Sequence, residues 1–470
     1  MAFNMATYTL NRQDIPLFTD YDVLVAGGGP SGAAAAAAAA REGARTLLLE
    51  ATSCLGGMGT SGLVPAWCPF TDYKRIIYGG IAKKIFLENK ASLPHIKEQE
   101  IDGWLPLNPE KLKRQLDALV AGAGVDIAFE TRVCHVGKSA PDVVSEVVAA
   151  DREGLKAYRA KVYVDCTGDG SLSAWAGAEC EIGEENTHSL MGMTLCFVLS
   201  NVDSYAFQNT YDPAVTGNWM FKDSPGWAIQ DSGEYPEGVG GFCANLIGPG
   251  TVGFNALHIF GKNPLVQKDM SEAYIRGREM AEIYRAALKK HFPEAFANAC
   301  LVQTGSLMGV RESRRIIGDY VLTAKDYDDR RTFPDEIGRN CYIIDKHDKL
   351  EPEEPGEEPL SIKYYRATPG DKVRQFHEYT DHAFYKPGES HGIPYRCLTP
   401  KGLKNVLAAG RIISCERTVQ SSIRVMPPCF VTGEAAGAAA SMAAADRQDV
   451  HAVNVDELRR RLKEEGGYFD

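Results

Sequence analysis

The chain has 470 residues, 44% of them hydrophobic and 24% charged, with a net charge of −11. That length exceeds one ordinary core, so two interleaved domains are expected. The acidic balance argues against nucleic acid as the main partner, because phosphate binding needs clustered Lys and Arg.

No stretch reaches the length of an apolar transmembrane helix. Residues 1–18 lack a basic region followed by an apolar run, so no signal peptide is expected. The 12 cysteines show no CxxC pair and no framework spacing, which fits a cytoplasmic enzyme with reduced thiols.

Residues 1–20 read as a lead-in or an extra strand and carry no motif. Val23 to Ala26 is a short apolar run suited to a buried parallel strand. Gly27, Gly29 and Gly32 follow at G-x-G-x-x-G spacing. Gly27 permits the tight turn, Gly29 lets the backbone approach a diphosphate, and Gly32 lets the next helix pack on the sheet. The N-terminus of that helix offers unpaired N–H groups and a positive dipole end to the same diphosphate. Thr46 to Leu49 is a second strand ending on Glu50, whose carboxylate can accept both ribose hydroxyls of an adenine dinucleotide. The run Ala33 to Ala40 reads as a helix of minimal side chains between sheet and cofactor.

A glycine-rich loop leaves the second strand, with Gly56, Gly57, Gly59 and Gly62 around Met58. Its freedom suits a loop that follows a cofactor surface. Cys54 has no CxxxxC partner and reads as a packed or idle thiol. No His stands in the loop to attach a flavin covalently. Asn108-Pro109-Glu110 then reads as the start of a helix running to about Ala121. Strands are expected at Val125 to Thr131, Val143 to Ala150 and Ala157 to Cys166. The last ends in Thr167-Gly168-Asp169-Gly170, a second close-approach turn.

From about Glu184 to Pro394 aromatics and strand-like runs dominate, as in Met191 to Ser200 and Thr251 to Phe260. The spacing predicts a helix near Ser271 to Lys290, capped by Ser271, and a second over Gly309 to Thr323. Glu351 to Glu358 reads as a solvated acidic loop. Leu403 to Ala409 is a buried strand stopping at Gly410-Arg411. Met426-Pro427-Pro428 introduces a helix through Ala445, whose small face (Gly433, Ala436, Gly437, Ala440) suits close packing against strand or cofactor.

The segments DVLVAGGGPSGAAAA, LEATSCLGGMGTSGLV, VDCTGDGSLSAWAGA, GVRESRRIIGDYVLT, GIPYRCLTPKGLKNVLAAGRIIS and RVMPPCFVTGEAAGAAA together resemble the FAD-dependent oxidoreductase family of the glutathione-reductase/fumarate-reductase superfold. The resemblance runs from residue 21 to about 445. It implies an α/β fold with a Rossmann-like FAD-binding domain, non-covalent FAD and an inserted α+β substrate domain. The expected division is 1–183 and 395–470 for the FAD-binding domain, with 184–394 as the insertion. Arg411 stands where related flavoproteins place an acid against the ribityl chain; Ser414, backbone, or Arg411 reaching the diphosphate are the alternatives. The expected cofactor contacts are Gly27, Gly29, Pro30, Ser31, Gly32, Glu50, Gly56, Gly57, Met58, Thr167, Gly168, Asp169, Gly410, Arg411, Arg424 and Pro428.

A flavin gains negative charge near N1 on reduction. The helix starting near Pro428, with Arg424 just upstream, is the candidate to stabilise it. Arg311, Arg314 and Arg315 can grip an anionic substrate or pair with Glu312 or Asp319. His258 and His391 are the candidate bases. Tyr395 sits in the return crossing, where a pocket between domains can form. No metal-ligand spacing and no nucleophile elbow is present. The expected activity is hydride transfer between flavin N5 and a small polar substrate, such as a hydroxy acid or sugar derivative. The electron acceptor or donor stays unidentified, with no nucleic acid and no membrane as partner. A flavin monooxygenase and a non-catalytic FAD-bound subunit are the alternatives.

Overall fold

The computed structural model describes residues 14–209, 229, 232–236, 243–349 and 385–469. Residues 1–13 and the acidic stretch 351–358 lie outside these. Val23, Leu24, Val25 and Ala26 end the first strand, Leu17–Ala26, and all four are fully buried. An unbroken apolar run is what a parallel strand covered on both faces requires. Thr46–Leu49 pairs with one edge in parallel, with Ala26 opposite Leu49. Gly154–Asp165 pairs with the other edge, with Ala26 opposite Asp165. Asp126–Ala128 extends the sheet beyond Thr46–Leu49.

Past Gly154–Asp165 come the antiparallel strands Val143–Asp151 and Arg132–Ala140. Val406–Ala408 runs parallel to the last residues of Gly154–Asp165, with Ala408 opposite Asp165. Ala26, Leu49, Asp165 and Ala408 therefore come level at one edge of a Rossmann-like sheet. The crevice beyond the carboxyl ends of such strands is where ligands of this architecture bind.

The helix Pro30–Arg41 is buried from Ser31 through Ala39. The helix Met426–Asp446 lies directly on it. A Cβ at Gly433 would stand 2.1 Å from the Ser31 carbonyl oxygen, and one at Gly437 2.0 Å from that of Ala35. The small-residue face expected against strand or cofactor thus meets another helix of small residues. Glycine is required there because the two backbones touch.

A second sheet is antiparallel, in the order Ala244–Gly248, Thr251–Phe254, Phe197–Ser200, Cys300–Thr304. The long helix Gln267–His291 backs it. Ala273, Gly277, Met280, Ala281, Tyr284, Ala287 and Leu288 form its buried stripe, at helical spacing. Phe197 stacks on Phe254 in this core, with ring centroids 4.9 Å apart.

Two local expectations differ from what is found. The long helix begins at Gln267, not Ser271, whose hydroxyl instead donates back to the Gln267 carbonyl at 3.0 Å. Gly309 to Thr323 is not helical. It is extended, with a strand Arg314–Ile316 pairing with Cys180–Ile182. Its backbone finds partners across the fold: Gly309 exchanges bonds with Thr194, and Ile316 donates to Ile412. Arg311, Glu312, Ser313 and Arg315 are all buried, so charged residues on successive positions point inward to partners on both sides. A helix would have put half of them in water. All twelve cysteines are free. Among the described residues no helix is long and apolar enough to cross a membrane.

Candidate active site

The first strand leaves the sheet through Gly27, at φ +94, where a Cβ would stand 2.4 Å from the Cys166 carbonyl oxygen. At Gly32 a Cβ would meet the Gly27 carbonyl oxygen at 1.7 Å. At Gly29, the N-cap of Pro30–Arg41, a Cβ would meet nothing within 4 Å. The turn is therefore packed shut behind and open in front, beside the helix end that attracts anions.

Glu50 clamps this turn. Its carboxylate accepts the Gly28 N–H and the Thr52 N–H, each at 2.6 Å. Gly56, at φ +103, donates its N–H to the Gly28 carbonyl at 2.8 Å. A Cβ on Gly57 would come within 3.2 Å of the Gly29 Cα, and Val64 N–H donates to the Met58 carbonyl.

The second turn faces the same crevice. Asp165 is fully buried and accepts from the Thr167 N–H, the Thr167 hydroxyl and the Ser173 N–H at 2.7–3.0 Å. Burial pushes its carboxyl up despite them. Arg411 Nε donates to the Gly168 carbonyl at 2.6 Å and its NH2 to Asp169 Oδ1 at 3.0 Å. Arg411 is thus ion-paired with Asp169 of the second turn. Gly410, at φ +83, lies against Ser31, and its N–H donates to Thr432. Ser414 is fully buried, and its hydroxyl makes no hydrogen bond among the described residues.

The helix Met426–Asp446 has no side-chain cap, and Pro427 and Pro428 carry no N–H. Met426 is left as the single donor among its first three positions. Just before it, Arg424 reaches the carbonyl of Asp345 at 3.0 Å and Asp345 Oδ2 at 3.3 Å.

Asp345 is the centre of a second set of side chains. Tyr342 OH donates to Oδ2 at 3.2 Å. His347 Nε2 is 3.0 Å from Oδ1, and His347 Nδ1 is 2.8 Å from His258 Nε2. Arg311 donates from NH1 to the Gly192 carbonyl at 2.6 Å and the Thr194 hydroxyl at 2.8 Å. Gly192 also packs at His258, where its Cβ would be 3.4 Å from Cδ2, so guanidinium and imidazole are neighbours.

The electrostatics follow from this crowding. Burial raises Asp345, but His347, Arg424 and Arg311 together hold its carboxyl well below the usual range. Burial, then Arg311, pulls His347 down to about 4. Burial, then Arg311 and His347, pulls His258 well below an ordinary histidine. Burial, with Arg424 adding to it, brings Arg311 down to about 10. Around neutral pH both imidazoles are uncharged, while Arg311 and Arg424 are positive and Asp345 negative.

His258, Arg311 and Arg424 are thus brought together. His391 and Tyr395 are placed elsewhere. His391 is fully buried, with Nδ1 2.5 Å from Tyr385 OH, and burial, then Arg339 and Arg330, lowers it to about 3. Tyr395 OH donates to the Val450 carbonyl at 2.8 Å. Arg315 pairs with Glu312 and Glu181, and Arg314 donates to the Asp169 carbonyl. Tyr342, Asp345 and His347 escaped the sequence reading. Their one local signal is D-x-H, which on an extended segment puts both side chains on one face.

The sequence from residue 22 to 462 matches the family model described as FAD dependent oxidoreductase. The chain belongs to this family. As a member of it, the FAD-dependent oxidoreductase described here is an enzyme, and its cofactor is FAD. A comparison with curated proteins finds no match. Among solved structures, the fold is similar to a geranylgeranyl bacteriochlorophyll reductase-like protein from Thermoplasma acidophilum, at 16% identity over 96% of this chain and 85% of that one, with a TM-score of 0.46. It is also similar to the myxobacterial chondrochloren halogenase CndH, at 13% identity over 96% and 80%, TM-score 0.44. A third is the flavin-dependent brominase Bmp2, at 12% over 94% and 83%, TM-score 0.43. These likenesses concern the fold alone. The residues present fit FAD: the space in front of Gly29 is the cradle that a side chain there would fill.

Proposed function

We propose that this oxidoreductase moves a hydride between FAD and a small polar substrate that carries a negative charge, such as a hydroxy acid. Arg311 is the observation behind this reading. It is a cation 7% exposed, with carbonyl and hydroxyl partners but no carboxylate at ion-pair distance among the described residues. With Arg424 and Asp345 the cluster holds two positive charges against one negative. A buried charge without a counterion costs several kcal/mol, roughly 3–5 when a partner is removed. An anionic substrate is the natural counterion, and a guanidinium can hold a carboxylate through two parallel bonds.

FAD would be held by the turn Gly27, Gly29, Pro30, Ser31 and Gly32 with Glu50, by Gly56, Gly57 and Met58, by Thr167, Gly168 and Asp169, and by Gly410 with Arg411. Once bound, it supplies hydride acceptance and donation. The chain's own groups do the rest. Arg424 and the helix end at Pro428 place positive potential beside the cluster. Arg311 orients the substrate, and His258 offers a neutral imidazole. The division of labour is that 1–183 and 395–470 hold the cofactor while 184–394 supplies Arg311, Asp345, His347 and His258. His391 and Tyr395 receive no chemical role, because their polar atoms are turned into the fold.

Anaerobic addition of small hydroxy acids, amino acids and sugars to the FAD-loaded protein tests the reading. One or more anionic compounds should bleach the flavin. Bleaching by uncharged sugars alone would sink the anionic assignment.

A further inference from the structure

The hydrogen-bonded chain from Asp345 through His347 to His258 has a polarity that its atoms impose. An ionised carboxylate only accepts. Asp345 Oδ2 takes Tyr342 OH and Arg424, and Oδ1 faces His347 Nε2 at 3.0 Å. His347 must therefore carry its proton on Nε2. Burial and Arg311 keep His347 uncharged near neutral pH, so its Nδ1 is a lone pair, 2.8 Å from His258 Nε2, and His258 must also carry its proton on Nε2. That leaves His258 Nδ1 as a bare lone pair, and it makes no hydrogen bond among the described residues. The second imidazole of a purely structural pair has no need to end this way; a backbone carbonyl on Nδ1 would reverse the tautomers.

The ring is held for one orientation. Phe260 lies nearly parallel to His258, with centroids 5.6 Å apart at 9°. Gly192 closes the Cδ2 side, where a Cβ would stand 2.7 Å from the Phe260 ring. Arg311, bound to the Gly192 carbonyl, is the charged group next to it.

We propose that Asp345, His347 and His258 form a proton relay whose outer end, Nδ1 of His258, takes the hydroxyl proton of the substrate held by Arg311. The inference rests on the function proposed above and names its base. As the substrate alcohol is oxidised, its O–H bond breaks and the proton forms an N–H bond at His258 Nδ1. The C–H hydrogen leaves with its electron pair, which FAD would accept when bound, and the C–O bond becomes C=O. The proton on His258 Nε2 passes to His347 Nδ1, which leaves the His347 imidazolium beside the Asp345 carboxylate; Arg424 and Arg311 keep that carboxylate ionised, so it steadies the charge without taking the proton. Reduction of the carbonyl runs the same transfers backwards.

Charge couples the two ends. Arg311 repels a proton from both imidazoles. A substrate anion on Arg311 cancels that repulsion, so His258 becomes a stronger base when the substrate is in place.

The test is nitrogen NMR of the FAD-loaded protein with 15N-labelled histidine at pH 7, with glycolate as probe. The expected spectrum has His258 and His347 both protonated on Nε2 and bare on Nδ1. Glycolate should move the His258 Nδ1 signal towards that of a hydrogen-bonded lone pair. Asp345→Asn should disturb both rings, and His258→Gln should change the Nδ1 signal of His347. A proton on His258 Nδ1, or His signals indifferent to Asp345→Asn and to His258→Gln, overturns the relay. With the substrate found by flavin bleaching, His258→Gln should slow flavin reduction about a hundredfold and flatten its pH profile while FAD content stays unchanged. An unaltered profile also overturns the relay, whereas failure of every compound to bleach the wild-type flavin counts against the functional reading instead.

Discussion

Gly29 and Gly32 occupy one motif yet serve opposite ends of it. Gly32 has the Gly27 carbonyl where its side chain would be, while Gly29 has open space and an extended backbone at φ −63, ψ −172. Gly32→Val should therefore destabilise the protein itself, by roughly 1–3 kcal/mol as an overpacked site does. Gly29→Val should leave the melting temperature of the flavin-free protein within a degree or two while removing FAD from the purified protein. Equal loss of stability in both variants, read by thermal unfolding of the apoprotein, would contradict this division. The motif was plain in the sequence because spacing alone encodes it. That Glu50 clamps the backbone N–H groups of Gly28 and Thr52 was not, since nothing local says where a carboxylate turns.

The buried imidazoles give a pH dependence with a definite sign. His347 falls from an ordinary value near 6.5 to about 4 in the fold, and His258 and His391 shift the same way. The unfolded chain therefore binds protons first as the pH drops. Their contribution is complete above about pH 6.5 and is lost as the pH falls towards 4, on the order of 1–3 kcal/mol for His347. Asp345, also held low, loses its share only in stronger acid. Urea midpoints should decline from pH 7 to 4.5, and less steeply in His347→Gln. An identical slope in that variant would show that the fold does not exclude the proton at His347.

Among the elements, the helices Pro30–Arg41 and Met426–Asp446 meet backbone to backbone at Gly433 and Gly437, and both helices were legible. Proline at their starts, alanine in the runs and glycine at the contacts all agree. The partner of the contact face was not legible, because small residues suit helix, strand and ligand alike. Gly437→Leu should push the helices apart and lower stability by about 1–3 kcal/mol, since its side chain would begin 2.0 Å from the Ala35 carbonyl oxygen. Unchanged thermal stability would mean that the helices do not meet there. The segment Gly309 to Thr323 shows where periodicity misleads. Arg311 and Arg315 sit at helical spacing, but each is drawn to a different partner: Arg311 to Gly192 and Thr194, Arg315 to Glu312 and Glu181. Tertiary partners for buried charge outweigh a weak local preference.

At the scale of the molecule, the level ends of Leu17–Ala26, Thr46–Leu49, Gly154–Asp165 and Val406–Ala408 create the crevice, and its motifs were readable at both ends of the chain. The polar cluster draws on segments near 192, 258, 311, 345 and 424, far apart in sequence. No spacing rule joins them, so only His258, Arg311 and Arg424 of its members could be named as candidates, and His391 and Tyr395 looked equally good. The central claim is that FAD meets an anionic substrate at this cluster. Anaerobic stopped-flow bleaching of the bound flavin, by each hydroxy acid and by the matching uncharged amide, measures it most directly. The acid should reduce the flavin at least tenfold faster than its amide at equal concentration, and Arg311→Ala should remove that preference while retaining FAD. Equal rates for acid and amide, or a preference that survives in Arg311→Ala, would contradict the account.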